Sequence, residues 1–75
     1  MKKRYLRFKA RTSPVESSPI DEIIIDILPI VEARRYNTSI YIETTKTQYS
    51  YFFENETEAK VVYNKIWEML IQEDK

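Results

Sequence analysis

Hydrophobic and polar positions alternate along Arg4–Ala10. Leu6, Phe8 and Ala10 fall on one side; Tyr5, Arg7, Lys9 and Arg11 fall on the other. Period two with β-compatible residues predicts a strand with one apolar and one basic face. Thr12–Pro19 holds two prolines and three serines, a composition that predicts a loop. Ile20, Ile23, Ile24, Ile27, Leu28 and Val31 then recur at the spacing of one helix face. Ser18 before Pro19, with Asp21 and Glu22 behind, has the make-up of a helix start: a cap, a first-turn proline, and acids at the positive end of the dipole. The β-branched run Ile23–Ile25 and Pro29 argue for a buried strand instead, because Pro29 would remove a hydrogen bond and clash inside a helix. Helix is the favoured assignment for Ile20–Leu28 and strand its alternative. A helix would stop or kink before Pro29, leaving Val31–Tyr36 as a further short turn or a strand.

The second half of the chain is plainer. Tyr36–Ser39 is turn-like. Ser39–Thr44 alternates, with Ile40 and Ile42 against Tyr41 and Glu43. After a polar connection at Thr45–Thr47, Gln48–Phe53 alternates again, with Tyr49, Tyr51 and Phe53 against Ser50 and Phe52. These segments predict an antiparallel hairpin. Asn55 followed by Glu58 fits a capping arrangement. Ala59, Val62, Tyr63, Ile66, Met69 and Leu70 form one stripe of a helix over Asn55–Gln72. The expected fold is a small single α+β domain over residues 1–75, in the order β-α-β-β-α. An antiparallel sheet of three or four strands carries the C-terminal amphipathic helix on one face. Residues 1–3 are expected to be disordered, 12–19 a loop and 73–75 a frayed tail.

Composition removes whole classes of chemistry. The 75 residues include no Gly, no Cys and no His. There is then no glycine-rich phosphate loop, disulfide, thiol nucleophile or imidazole base, and no ordinary zinc ligand set. Ser17 and Ser18 have no histidine to activate them. The neighbouring acids Asp21 and Glu22, and Glu54, Glu56 and Glu58, stand where helix starts favour negative charge. The chain is therefore expected to be non-enzymatic, with no catalytic residue, cofactor, metal or small-molecule substrate. The longest apolar region, Ile20–Val31, is broken by Asp21, Glu22, Asp26 and Pro29, well short of a bilayer span. With no signal-peptide-like run and no lipidation signal, a soluble, cytoplasmic protein without membrane contact is expected.

The formal net charge is zero but unevenly spread. Residues 1–11 carry six bases and no acid; residues 12–75 carry the other six bases and all twelve acids. A basic strand packed beside acidic elements of its own fold explains this, and so does a nucleic-acid arm. The chain also holds six Tyr, three Phe and one Trp. Tyr41, Tyr49 and Tyr51 cannot all share a sheet face with Ile40 and Ile42 in simple register, so aromatic surface should face outward. Tyr63, Trp67 and Ile71 recur every four residues beside the helix core stripe and form a candidate protein interface. The expected function is a small interaction module that self-associates as a homodimer and contacts a further protein. The alternative is weak RNA or single-stranded nucleic-acid binding, with Arg4, Arg7 and Lys9 on phosphates and Tyr49 and Tyr51 on bases.

Two segments resemble known families. Gln48–Ala59, reading Gln-Tyr-Ser-Tyr-Phe-Phe-Glu-Asn-Glu-Thr-Glu-Ala, resembles the third strand and second helix of an RNA recognition motif, with Gln48 where that family has a glycine. The resemblance implies that Tyr49 and Tyr51 stack bases. Residues 30–70, a hairpin followed by one capping helix, resemble the end of pleckstrin-homology-like small barrels.

Overall fold

The computed structural model describes residues 4–71. Its elements are β1 (Tyr5–Ala10), β2 (Asp21–Asp26), β3 (Ile30–Tyr36), β4 (Ser39–Thr44), β5 (Gln48–Phe52) and α1 (Glu56–Leu70). The class is α+β, but the order is five strands and then one helix, in place of β-α-β-β-α. The expectations for residues 1–3, 73–75 and the Gln72 end of the helix lie outside the described residues.

Two antiparallel sheets form: the hairpin β1-β2 and the meander β3-β4-β5. Arg11 and Phe52 join them, each N–H donating to the other's carbonyl at 2.8 Å. The strands thus follow one another as β2-β1-β5-β4-β3, with β2 and β3 at the ends.

Asp21–Asp26 is a strand, which corrects the helix favoured for Ile20–Leu28. Its register sets Ile23 across from Phe8 and Ile25 across from Leu6, so the β-branched side chains meet the apolar face of β1. Ile24 turns outward and is exposed. Glu22 serves no helix dipole; it meets Arg7 at 3.3 Å across the hairpin. The Asp26 carboxylate accepts from the Leu28 N–H at 3.0 Å, and the Ile30 N–H reaches the Ile27 carbonyl at 3.1 Å. Pro29 lies inside this turn, where its missing N–H costs nothing.

Val31–Tyr36 lies within strand β3. The register against β4 shifts between Ile30 and Glu32. This bulge turns Val31 out to solvent and lets Ile30 and Ala33, three residues apart, both face the core. At the β3–β4 turn Asn37 has φ 53°. The left-handed conformation is one that asparagine tolerates well and that tight hairpins require. Helix α1 starts at Asn55, whose side-chain oxygen accepts from the Glu58 N–H at 2.8 Å, with Glu56 and Glu58 in the first turn.

The core lies between the inner faces of both sheets and the helix. Phe8 and Ala10 come from β1, Ala33 from β3, Ile40 and Ile42 from β4, Tyr51 from β5, and Ala59 and Ile66 from α1. Phe8 contacts Tyr51 edge-on at 5.3 Å between centroids and Phe53 at 5.7 Å. Among the described residues, no helix is long and apolar enough to cross a membrane.

Candidate interaction surface

The helix lies along β3. Arg35 meets Glu56 at 3.4 Å near the start of α1, and the Tyr63 hydroxyl donates to the Ala33 carbonyl at 3.4 Å further on. The stripe expected at Tyr63, Trp67 and Ile71 therefore follows the β3 flank toward its Ile30 end. Tyr63 is half-buried and meets Trp67 edge-to-face at 6.3 Å. Trp67 is 37% exposed and Ile71, at the helix C-cap, 65%. Tyr63 flanks the core, while Trp67 and Ile71 present apolar area outward.

Among the described residues β3 pairs with β4 alone. The pair Tyr36↔Ser39 closes a two-residue turn and exchanges both its hydrogen bonds. By alternation, Glu32 and Arg34 bond to β4, while Ala33 and Arg35 point their N–H and C=O groups away from it; at Ala33 that side is covered, the residue being 2% exposed and its carbonyl accepting from Tyr63. The Glu32 and Arg34 side chains share the outer face, joined at 2.6 Å.

The nucleic-acid candidates divide between surfaces. Arg7 and Lys9 stand on the outer face of β1 and are exposed. Tyr49 and Tyr51 pair with Ile42 and Ile40 and share their inner face, so it is Tyr41 that faces outward, edge-on to Tyr36 at 5.8 Å. Tyr51 is 6% exposed; Tyr49 is 46% exposed and stacks on it at 6.3 Å. Burial pushes the Tyr51 phenol pKa up, and neighbouring Tyr49 adds to the rise. Of the three bases, Arg4 alone shares a cavity with both tyrosines. The β1 bases also meet acids of the same fold: Arg4 with Asp26, Arg7 with Glu22, and Arg11 with Glu54.

That cavity has a volume of about 550 Å³ and is lined by residues of both the β1-β2 hairpin and the meander. Ile25, Ile30, Ile42 and Tyr51 give it apolar walls, and Leu28 and Lys46 also line it. Its size suits a small apolar group. No sequence signal marks it, because its lining residues come from both sheets and lie far apart in the chain. Among the described residues, no three acids are placed to hold a metal ion.

Arg4 grips Asp26 with two hydrogen bonds of 2.8 Å and also lies 5.4 Å from the Tyr5 ring centroid. The Arg4 hydrogen bonds hold the Asp26 carboxyl below the usual carboxylate range, against the opposing pull of burial and with help from the Leu28 N–H. A carboxylate with a lowered folded pKa stabilises above its unfolded value and loses that contribution as pH falls through the folded one. Asp26→Asn keeps an acceptor for Leu28 but removes the charge. It should lower the urea midpoint modestly at pH 7, and the gap from wild type should begin to shrink below about pH 3.9 and close as pH falls through the lowered folded value. A gap that persists undiminished at pH 2 would show that the charge is not the stabilising element.

In comparisons with known proteins the chain matches no family model, no curated protein and no solved structure.

Proposed function

We propose that this chain is a small, non-enzymatic interaction module that self-associates and acts through protein–protein contacts. The observation that carries this reading is the apolar stripe of Trp67 and Ile71 on α1, which faces outward beside half-buried Tyr63. Large apolar side chains left side by side facing outward form a surface that gains from being covered. A domain of this length without disulfide or metal also gains stability by oligomerising. Nucleic acid is the weaker partner on this geometry: Tyr51 is buried, and Arg7 and Lys9 lie on a different face from Tyr49. The proposed setting is the cytoplasm, in keeping with a chain that carries no cysteine.

Sedimentation equilibrium over the micromolar range tests the reading. A reversible monomer–dimer equilibrium is expected. Addition of short single-stranded RNA at physiological salt should leave it unchanged, with any RNA binding no tighter than about 10⁻⁴–10⁻⁶ M. A monomer at every concentration that binds RNA below micromolar would reverse the ranking of partners.

A further inference from the structure

The geometry points to a ligand site in the cavity shared by the β1-β2 hairpin and the meander, taking a medium-chain fatty acid with its alkyl chain on the isoleucine walls and its carboxylate on Lys46 and the Tyr51 hydroxyl. This site is independent of self-association. Its walls are built on strands: Ile30, Ile42 and Tyr51 belong to β3, β4 and β5 and all three are buried. They are in place before anything binds, as small-molecule sites usually are. Ile24, Leu28 and Tyr49 line the same cavity and stay exposed. Apolar area therefore runs from the buried wall out to the surface, where an alkyl chain would remove it from water. The volume of about 550 Å³ falls within the range of about 300–1,000 Å³ usual for such sites.

Charge selects the head group. The ionisable lining side chains of fixed charge are Arg4, Asp26 and Lys46. Arg4 spends its charge on both oxygens of Asp26, which leaves Lys46 as the net positive charge of the site. Lys46 makes no ion pair among the described residues. The Thr44 hydroxyl fixes its turn, accepting from the Lys46 and Thr47 N–H groups and donating to the Thr47 carbonyl. A single positive charge on a flexible stem matches a monoanion. The Tyr51 hydroxyl supplies the second contact. Tyr51 is 6% exposed, yet among the described residues its hydroxyl has no hydrogen-bond partner. No described side-chain N or O atom is both sealed from solvent and unbonded, so this hydroxyl reaches solvent, and the cavity it lines is the route. Burial keeps the phenol protonated, and therefore a donor to a carboxylate.

Titration of the full chain with decanoate, followed by amide chemical shifts, tests the site. The amides of Ile25, Ile42 and Tyr51 should shift together, with a Kd below about 1 mM. Decanol, which lacks the charge, should bind more weakly, and decylammonium, which reverses it, more weakly still. Lys46→Glu should weaken decanoate binding about tenfold, because an attraction becomes a repulsion. Tyr51→Phe keeps the ring and loses only the hydroxyl; it should weaken decanoate by about tenfold or more and leave decanol nearly unchanged. Lys46 is exposed in its turn and the Tyr51 hydroxyl has no described protein partner, so both variants should melt as wild type does. Should Tyr51→Phe fail to fold, Lys46→Glu still decides the matter. Equal binding of the three ligands, or decanoate binding undiminished in a folded variant, overturns the proposal. So does a titration with no shifts, or with shifts confined to the Trp67 and Ile71 stripe.

Discussion

The Ile66→Asp variant should show no cooperative melting transition. Ile66 is 0% exposed and sits on α1 among Ala59, Val62 and Leu70, against the inner face of the meander. Replacing it removes a buried aliphatic side chain, a loss of about 2–5 kcal/mol for comparable truncations. It also introduces a carboxylate with no partner, which costs several kcal/mol more or forces protonation. A chain of this length has roughly 4–11 kcal/mol of total stability at about 0.05–0.15 kcal/mol per residue. The two losses together match or exceed it. Ile66→Val, at about 0.5–1.5 kcal/mol, serves as the mild control and should melt cooperatively a few degrees lower. Circular dichroism followed with temperature distinguishes them. An Ile66→Asp variant melting close to wild type would mean that the helix does not pack through this residue.

The second large effect belongs to Phe8→Ala. Phe8 is the largest core side chain of the β1-β2 hairpin, with its ring against Tyr51 and Phe53. Truncating a buried phenylalanine costs about 3–5 kcal/mol. At about 4–8 °C per kcal/mol for a domain of this size, the melting temperature should fall by well over 10 °C. The tyrosine near-ultraviolet signal should weaken too, because Tyr51 loses its edge contact. Tyr5→Ala, on the outer face of the same strand, should change little. If the two variants lose equal stability, the inward and outward faces of β1 have been exchanged.

Much of this architecture could be read from the chain because particular residues left one option. In β1, Leu6, Phe8 and Ala10 alternate with bases, and only a strand separates them. In α1, the Asn55 cap and an uninterrupted stripe through Ile66 agree with each other. β2 was ambiguous for a physical reason: Ile20, Ile23, Ile24, Ile27 and Leu28 fit helical spacing, yet Ile23 and Ile25 also alternate around Ile24. The deciding factor, the apolar face of β1 waiting to be paired, is a tertiary one. β3 was obscured by its bulge, since Ile30 and Ala33 both face inward at a separation that breaks strand alternation and imitates a helix face. The interaction surface was legible in part. Trp67 and Ile71 could be located as a stripe, but the place of α1 along the end strand β3 follows from the order of strands. The inward placement of Tyr51 follows from its register with Ile40.

The contact between Arg11 and Phe52 also bears on how the chain reaches this state. Among the described residues every other strand pairing joins neighbours in sequence: β1 with β2, β3 with β4, and β4 with β5. These are local closures, and short loops are quick to close. Arg11 and Phe52 are 41 positions apart, and bringing them together requires a far larger loss of chain freedom before any contact is gained. If the intervening hairpins form first, they shorten the effective loop, and Phe8 docking onto Tyr51 and Phe53 can then complete the core in one late step. Assembly from preformed local pieces gives a five-stranded protein a lower effective contact order than its strand order β2-β1-β5-β4-β3 would imply.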